Sequence, residues 1–192
     1  MELKEANRRF FNIIARYYDF LFRKAFDKVE EKAIEIAKIN KGKVLDAGCG
    51  TGNFLLKLSE NKKLKLYGAD ISEKMLEIAR KKLGNKAKLI LVEAEKVKGS
   101  YDYVFGFEAF HHLDKNKAMK NFYKVLKRNG KLIIVDLDFW IFNKLFEKIE
   151  PGNTGLYSAK ELENIFKAYN FKDIKQEKIG LNILTYGRKG GK

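Results

Sequence analysis

Three glycines at alternate positions, Gly48, Gly50 and Gly52, constrain this chain more than any other feature. They follow the run Val44-Leu45-Asp46-Ala47 and precede Asn53-Phe54-Leu55-Leu56, which has helical patterning. A strand, a sharp bend and a helix in immediate succession make the start of a βα unit, the context in which a glycine-rich bend carries meaning. Positions without a Cβ let the backbone turn tightly and let a ligand approach the main chain. The helix start offers free N–H groups suited to an anionic group such as a carboxylate. Asp46, two residues before the first glycine, is suited either to ordering the amides of the bend or to accepting from a bound ammonium group.

The rest of the chain alternates short apolar runs with helical patterns, which predicts an α/β fold with a mostly parallel sheet and helices on both faces. Helices are expected over Ala6 to Ile39, Asn53 to Ser59, Ser72 to Leu83, Lys115 to Lys127 and Ser158 to Tyr169. Strands are expected at 43–46, 64–70, 88–92, 101–107, 131–137, 172–179 and 182–188. Ser72 is an N-cap, Ser158 with Glu161 forms a capping box, and Asn129-Gly130 supplies turn chemistry that stops the fourth helix. Five βα units then close with a terminal strand pair, and ligands in such sheets sit at the carboxyl ends of the strands. Asp70 ends the second strand, 18 residues after Gly52. A carboxylate there can accept both hydroxyls of a ribose. It can equally serve as a charge at the start of the helix opened by Ser72. The spacing Gly-x-Gly-x-Gly, with Asn53 where a dinucleotide fingerprint expects Gly or Ala, departs from the nicotinamide pattern and fits a nucleoside that carries an amino acid.

Along its whole length the chain resembles the class I S-adenosylmethionine-dependent methyltransferases, in particular the branch of ubiquinone and menaquinone biosynthesis methyltransferases. The resemblance rests on Asp46-x-Gly48-x-Gly50-x-Gly52, on Tyr67-Gly68-Ala69-Asp70-Ile71-Ser72 with Met75-Leu76, on Val92-Glu93-Ala94-Glu95, and on Tyr101-Asp102-Tyr103-Val104 through Phe110-His111-His112-Leu113. Tyr18-Asp19 looks like the Tyr-Asp of the family's N-terminal lid. This resemblance implies a Rossmann-like doubly wound sheet of seven strands, mostly parallel with an antiparallel terminal strand, and an N-terminal helical lid. It divides a single domain, 1–192, into a lid over 1–40 and a cofactor-binding core over 41–192. It implies S-adenosylmethionine as cofactor, held by Tyr18, Asp46, Ala47, Gly48, Gly50, Asn53, Asp70, Ile71, Met75, Glu93, Ala94 and Phe107, with Glu93 on the adenine amino group where the family usually has Asp. Phe107 and the Lys96-Val97-Lys98 segment depart from the family pattern.

The implied activity is methyl transfer to a small, lipophilic or aromatic acceptor. The alternatives are an RNA or protein methyltransferase, or a cofactor-binding subunit without activity. Transfer from a sulfonium mainly needs alignment and exclusion of water, so no catalytic signature is assigned. The absence of an Asn/Asp-Pro-Pro-aromatic run speaks against adenine amino methylation in nucleic acid. Cys49, the single cysteine, reads as a small loop residue, and it places the chain in a reducing cytoplasm. The opening Met1-Glu2-Leu3-Lys4-Glu5 has no secretory signal, and no apolar run reaches the roughly 18 residues of a membrane span. The net charge of +15 fits either a lysine-rich surface or an acidic partner such as nucleic acid, which is not favoured because the lysines are dispersed. His111 and His112 lack a third ligand at metal spacing, so no metal is expected. They read as a polar loop, or as a base that faces the acceptor with Glu108. Aromatic segments at Phe10-Phe11, Tyr17-Tyr18, Phe20 and Phe22, and at Phe139-Trp140-Ile141-Phe142 with Leu145-Phe146, are either core or a lid over a lipophilic acceptor. Their basic neighbours would permit contact with an anionic membrane.

Overall fold

Alternation of apolar side chains decides how the strands are buried. In β1 (Gly42–Ala47), Val44 belongs to one apolar cluster and Leu45 to another. In β5 (Leu126–Leu137), Leu132 and Ile134 face one cluster while Ile133 and Val135 face the other. Successive side chains of a strand point to opposite faces, so this sheet is covered on both sides. A computed structural model describes residues 3–138 and 155–191. The expected aromatic segment Phe139 to Phe146 lies outside the described residues.

Seven strands form one sheet in the order β3-β2-β1-β4-β5-β7-β6. The others are β2 (Leu64–Asp70), β3 (Ala87–Leu91), β4 (Tyr101–Phe107), β6 (Phe171–Ile179) and β7 (Asn182–Lys189). β1 to β5 run parallel, and β7 is antiparallel to both β5 and β6. The last strand of the chain is therefore inserted between β5 and β6 rather than added at the edge. One face carries α1 (Leu3–Ala37), α2 (Asn53–Leu58) and α3 (Glu73–Leu83), which bury Val29 and Ala33, Phe54 and Leu55, and Leu76 and Ala79. The other face carries α4 (Lys115–Val125) and α5 (Ala159–Ala168), which bury Met119, Phe122, Leu162 and Phe166.

The expected caps are present. The Ser72 side chain accepts from the Met75 N–H, and Ser158 and Glu161 close a reciprocal capping box. Two expectations are corrected. The link between β3 and β4 holds only a 3-10 turn at Ala94–Lys96, so there is one βα unit fewer than expected. α4 ends at Val125, two residues early, because Leu126 already pairs with Tyr101. Tyr103 next pairs with Lys131, so the residues between bulge out, with Asn129 at φ 62°. The Asn129-Gly130 turn signal thus shapes a bulge inside β5 instead of a helix stop.

From β1 the chain moves outward to β2 and β3, and then returns to place β4 on the other side of β1. The topological switch point lies between β1 and β4, and the bends that leave these two strands open a crevice.

Candidate functional site

The bend after β1 is held by main-chain bonds. The N–H groups of Gly48 and Cys49 donate to the Ala69 carbonyl at 2.7 and 3.0 Å, and Gly52 N–H donates to the Cys49 carbonyl at 2.9 Å. Gly48, Gly50 and Gly52 have φ of 91°, 50° and 79°. This left-handed region favours glycine. A Cβ on Gly48 would come within 2.5 Å of the Ala109 Cβ, so the bends after β1 and β4 meet there without room for a side chain. Beside Gly50, by contrast, nothing among the described residues lies within 4 Å of that position.

Asp70, not Asp46, orders the bend. Asp70 Oδ2 accepts the Gly50 N–H at 2.8 Å, and Oδ1 accepts the Ser72 N–H at 2.8 Å. One carboxylate thus ties the bend to the start of α3. Burial raises the Asp70 carboxyl above its ordinary value. Asp46 is 2% exposed, and its Oδ1 has no hydrogen-bond partner among the described residues. Burial, with the nearby Glu30 and Asp70 charges, pushes Asp46 well above the usual carboxylate range. Burial raises the Cys49 thiol as well, which disfavours its nucleophilic thiolate.

Two adjoining cavities occupy the crevice. The first is lined by Phe11 and Tyr18 of α1, Gly48 and Gly50, Ala69, Asp70 and Ile71, Met75 of α3, Ala94, Phe107, Glu108, Ala109, His112 and Leu113. The second shares Tyr18, Gly48, Gly50, Phe107 and Glu108 with it and adds Phe26, Glu30, Asp46, Cys49, Thr51, Asn53 and Phe54. Their volumes are about 80 and 50 Å³. Small-molecule sites typically offer several hundred Å³, more than either cavity encloses here. The Phe107 ring stacks on Phe54 at 5.6 Å, and Glu108, at φ 48°, holds a left-handed backbone between the two cavities.

The opposite wall is α1, anchored by side chains. Asp19 accepts from Thr51 Oγ1 at 2.6 Å and Asn53 Nδ2 at 2.8 Å, and it pairs with Lys82. Burial alone would raise Asp19, but these donors outweigh it and hold the carboxyl below its ordinary value. Asn12 Oδ1 accepts from Ser72 Oγ at 2.7 Å, and Phe11 meets the His112 ring edge-on at 5.1 Å.

The expected pair His111-His112 divides. His112 lines the first cavity, whereas His111 is 3% exposed and bonds through Nδ1 to Asp136 of β5. Asp136 Oδ2 also accepts the His111 N–H at 3.1 Å. Glu108, His111 and Asp136 bring ligand-type atoms within 4.8 Å of one another. Residues distant in sequence thus stand beside His111, and both Asp136 oxygens are engaged by it.

A methyltransferase-domain family profile matches residues 44–130, which span β1 through the β5 bulge. A demethylmenaquinone methyltransferase from Lactococcus lactis is 30% identical over 77% of this chain and 69% of its own length. One from Thermotoga maritima is 35% identical over 70% of this chain and 62% of its own length. The chain belongs to the class I S-adenosylmethionine-dependent methyltransferases. It spans only about 60% of the length of several curated relatives it matches. A solved S-adenosylmethionine-dependent methyltransferase from Thermotoga maritima shares the fold at a TM-score of 0.77, with 23% identity, over 98% of this chain and 100% of its own.

Of the residues expected to bind cofactor in this family member, Tyr18, Gly48, Gly50, Asp70, Ile71, Met75, Ala94 and Phe107 converge on the first cavity, and Asp46 and Asn53 on the second. Ala47 is fully buried in β1 and lines neither. The Glu93 carboxylate also lies elsewhere. It pairs with Lys4 and Lys96 at an open surface cleft, and both lysines hold it below its ordinary value. The Asn53 side chain is committed to Asp19 and Lys82. Phe11, expected as core or lid, lies seven positions before Tyr18 on the same helical face and lines the first cavity. Ala109, which also lines the first cavity, carried no such signal.

Proposed function

We propose that this protein transfers a methyl group from S-adenosylmethionine to a small, lipophilic or aromatic acceptor. The observation that carries the reading is the pairing of an orphaned, buried Asp46 oxygen with the open space beside Gly50, under a family fold whose crevice lies at the switch point. An unpaired buried acceptor is costly, and a cationic ligand group relieves it. Asp46 would hold the ammonium of the amino-acid portion, Asp70 the sugar hydroxyls through its remaining lone pairs, and Ile71, Met75 and Ala94 the base. Bound there, the cofactor supplies an electrophilic methyl group on a sulfonium. Tyr18, Phe107 and Phe11 would exclude water and present an apolar acceptor to it. His112 and Glu108 line the first cavity and would take a proton when the acceptor must lose one.

Incubation with methyl-labelled S-adenosylmethionine and fractionated lysate tests the reading. Label is expected in a metabolite or lipid fraction, and His112→Ala should slow turnover for an acceptor that loses a proton. Label confined to RNA or protein would replace the acceptor class. Cofactor binding with no label anywhere would make this a non-catalytic subunit, and calorimetry with no heat for S-adenosylmethionine would end the proposal.

A further inference from the structure

α1 has two apolar faces. Phe11 and Tyr18 line the cavity, and Val29 and Ala33 are buried against the sheet. On the other side Ile13 is 74% exposed, Tyr17 55%, Phe20 89% and Leu21 57%. Steps of four, three and one residues set these four on a single arc of the helix, away from the face of Phe11 and Tyr18. Single exposed apolar side chains need no explanation, but a contiguous patch on a helix does. Arg9, Arg16 and Arg23 recur every seven residues along the flank of the same arc. Arg16 lies 5.2 Å from the Tyr17 ring centre, and Arg9 shares Glu5 with Arg8. Between Arg9 and Arg23 the one acidic residue is Asp19, which is turned inward onto Thr51, Asn53 and Lys82.

We propose that this arc of α1 docks on an anionic bilayer surface. A helix lying in the interface sinks its apolar arc to the headgroup boundary while arginines reach the lipid phosphates. Charge complementarity selects this occupant. A second copy of the chain, meeting the arc face to face, would offer these arginines no carboxylate from the arc, because Asp19 is turned inward. A nucleic acid would satisfy the arginines and leave Ile13, Phe20 and Leu21 in water. No helix among the described residues is long and apolar enough to cross a membrane, so the contact is peripheral. It goes beyond the reaction proposed above and does not depend on it.

Co-sedimentation of the full chain with phosphatidylcholine vesicles, and with vesicles that also contain phosphatidylglycerol, tests the proposal. The chain should pellet with the anionic vesicles and only weakly with the neutral ones. Ile13→Ser/Phe20→Ser and Arg16→Gln/Arg23→Gln should each weaken binding by about tenfold or more. S-adenosylmethionine affinity, read by calorimetry, should stay constant across these variants, which reports an intact fold and keeps the two proposals separable. Absence of pelleting with anionic vesicles, or equal pelleting of wild type and both variants, overturns the proposal. Self-association lost in Ile13→Ser/Phe20→Ser without vesicle binding would assign the arc to a second copy and overturn it too.

Discussion

The bend after β1 and the inner face of α1 line the same cavities, but main-chain bonds hold the first and side chains hold the second. Gly48, Cys49 and Gly52 are fastened by amide-to-carbonyl bonds, and Gly50 by Asp70. Opening that wall means breaking bonds at the carboxyl ends of the interior strands β1 and β2. α1 is fastened to it by Asp19, Asn12 and ring contacts, and its far side meets solvent along Ile13 and Phe20. Regions with few buried apolar contacts open at lower free energy. From this difference we propose that the glycine bend is the fixed wall of the crevice and α1 the wall that shifts when a ligand enters.

The largest test of this contrast is Gly48→Ala. Left-handed strain and the clash with Ala109 should lower stability by about 3 kcal/mol and abolish measurable S-adenosylmethionine binding, whereas Gly50→Ala should cost about 1 kcal/mol. Equal losses in thermal unfolding would show that the two bends are not in close approach. Asp70→Ala should come next, at about 2 kcal/mol, since two amides lose their acceptor. A fall in stability with unchanged affinity for the cofactor would leave Asp70 as the helix-start charge and remove it from the sugar.

Asp46 gives a pH test. Its folded value is raised above its unfolded value, so the folded state holds more protons. Its contribution to stability is therefore greatest in acid and declines as pH rises from the ordinary carboxylate range toward the raised folded value. Gripping an ammonium requires the ionised form, so calorimetric affinity should rise about tenfold per pH unit below that value. Asp46→Asn should flatten both slopes, and an unaltered affinity profile would detach Asp46 from the ligand. For the movable wall, Asp19→Asn should speed hydrogen exchange of the N-terminal half of α1 by about tenfold while the bend amides stay protected. Joint acceleration of both would merge the two walls into one unit. Glu93→Gln, at the surface pair with Lys4 and Lys96, should change cofactor affinity by less than about threefold. A larger loss would bring Glu93 back to the adenine.

Local signals read true wherever one segment decides the outcome. Gly48, Gly50 and Gly52 marked a bend because backbone freedom belongs to the residue. Ser72 and Ser158 marked helix starts because capping reaches only three residues ahead. Readings that needed a partner from elsewhere fared worse. Asp46 stands beside the bend in sequence and Asp70 lies 18 residues after Gly52, but the pairing of β1 with β2 brings Asp70 to the Gly50 amide. Glu93 fits a family position, and its carboxylate pairs with Lys4, 89 residues away.

The chain by itself determined the alternation of strands and helices, the glycine bend and the capped helix starts, because periodicity and backbone freedom act over a few neighbouring residues. Tertiary structure alone decided that β7 enters between β5 and β6, that His111 turns to Asp136 while His112 faces the cavity, and that Asp46 is left with an unpaired oxygen. Those outcomes depend on groups brought together by sheet order, and distance along the sequence carries no information about that proximity.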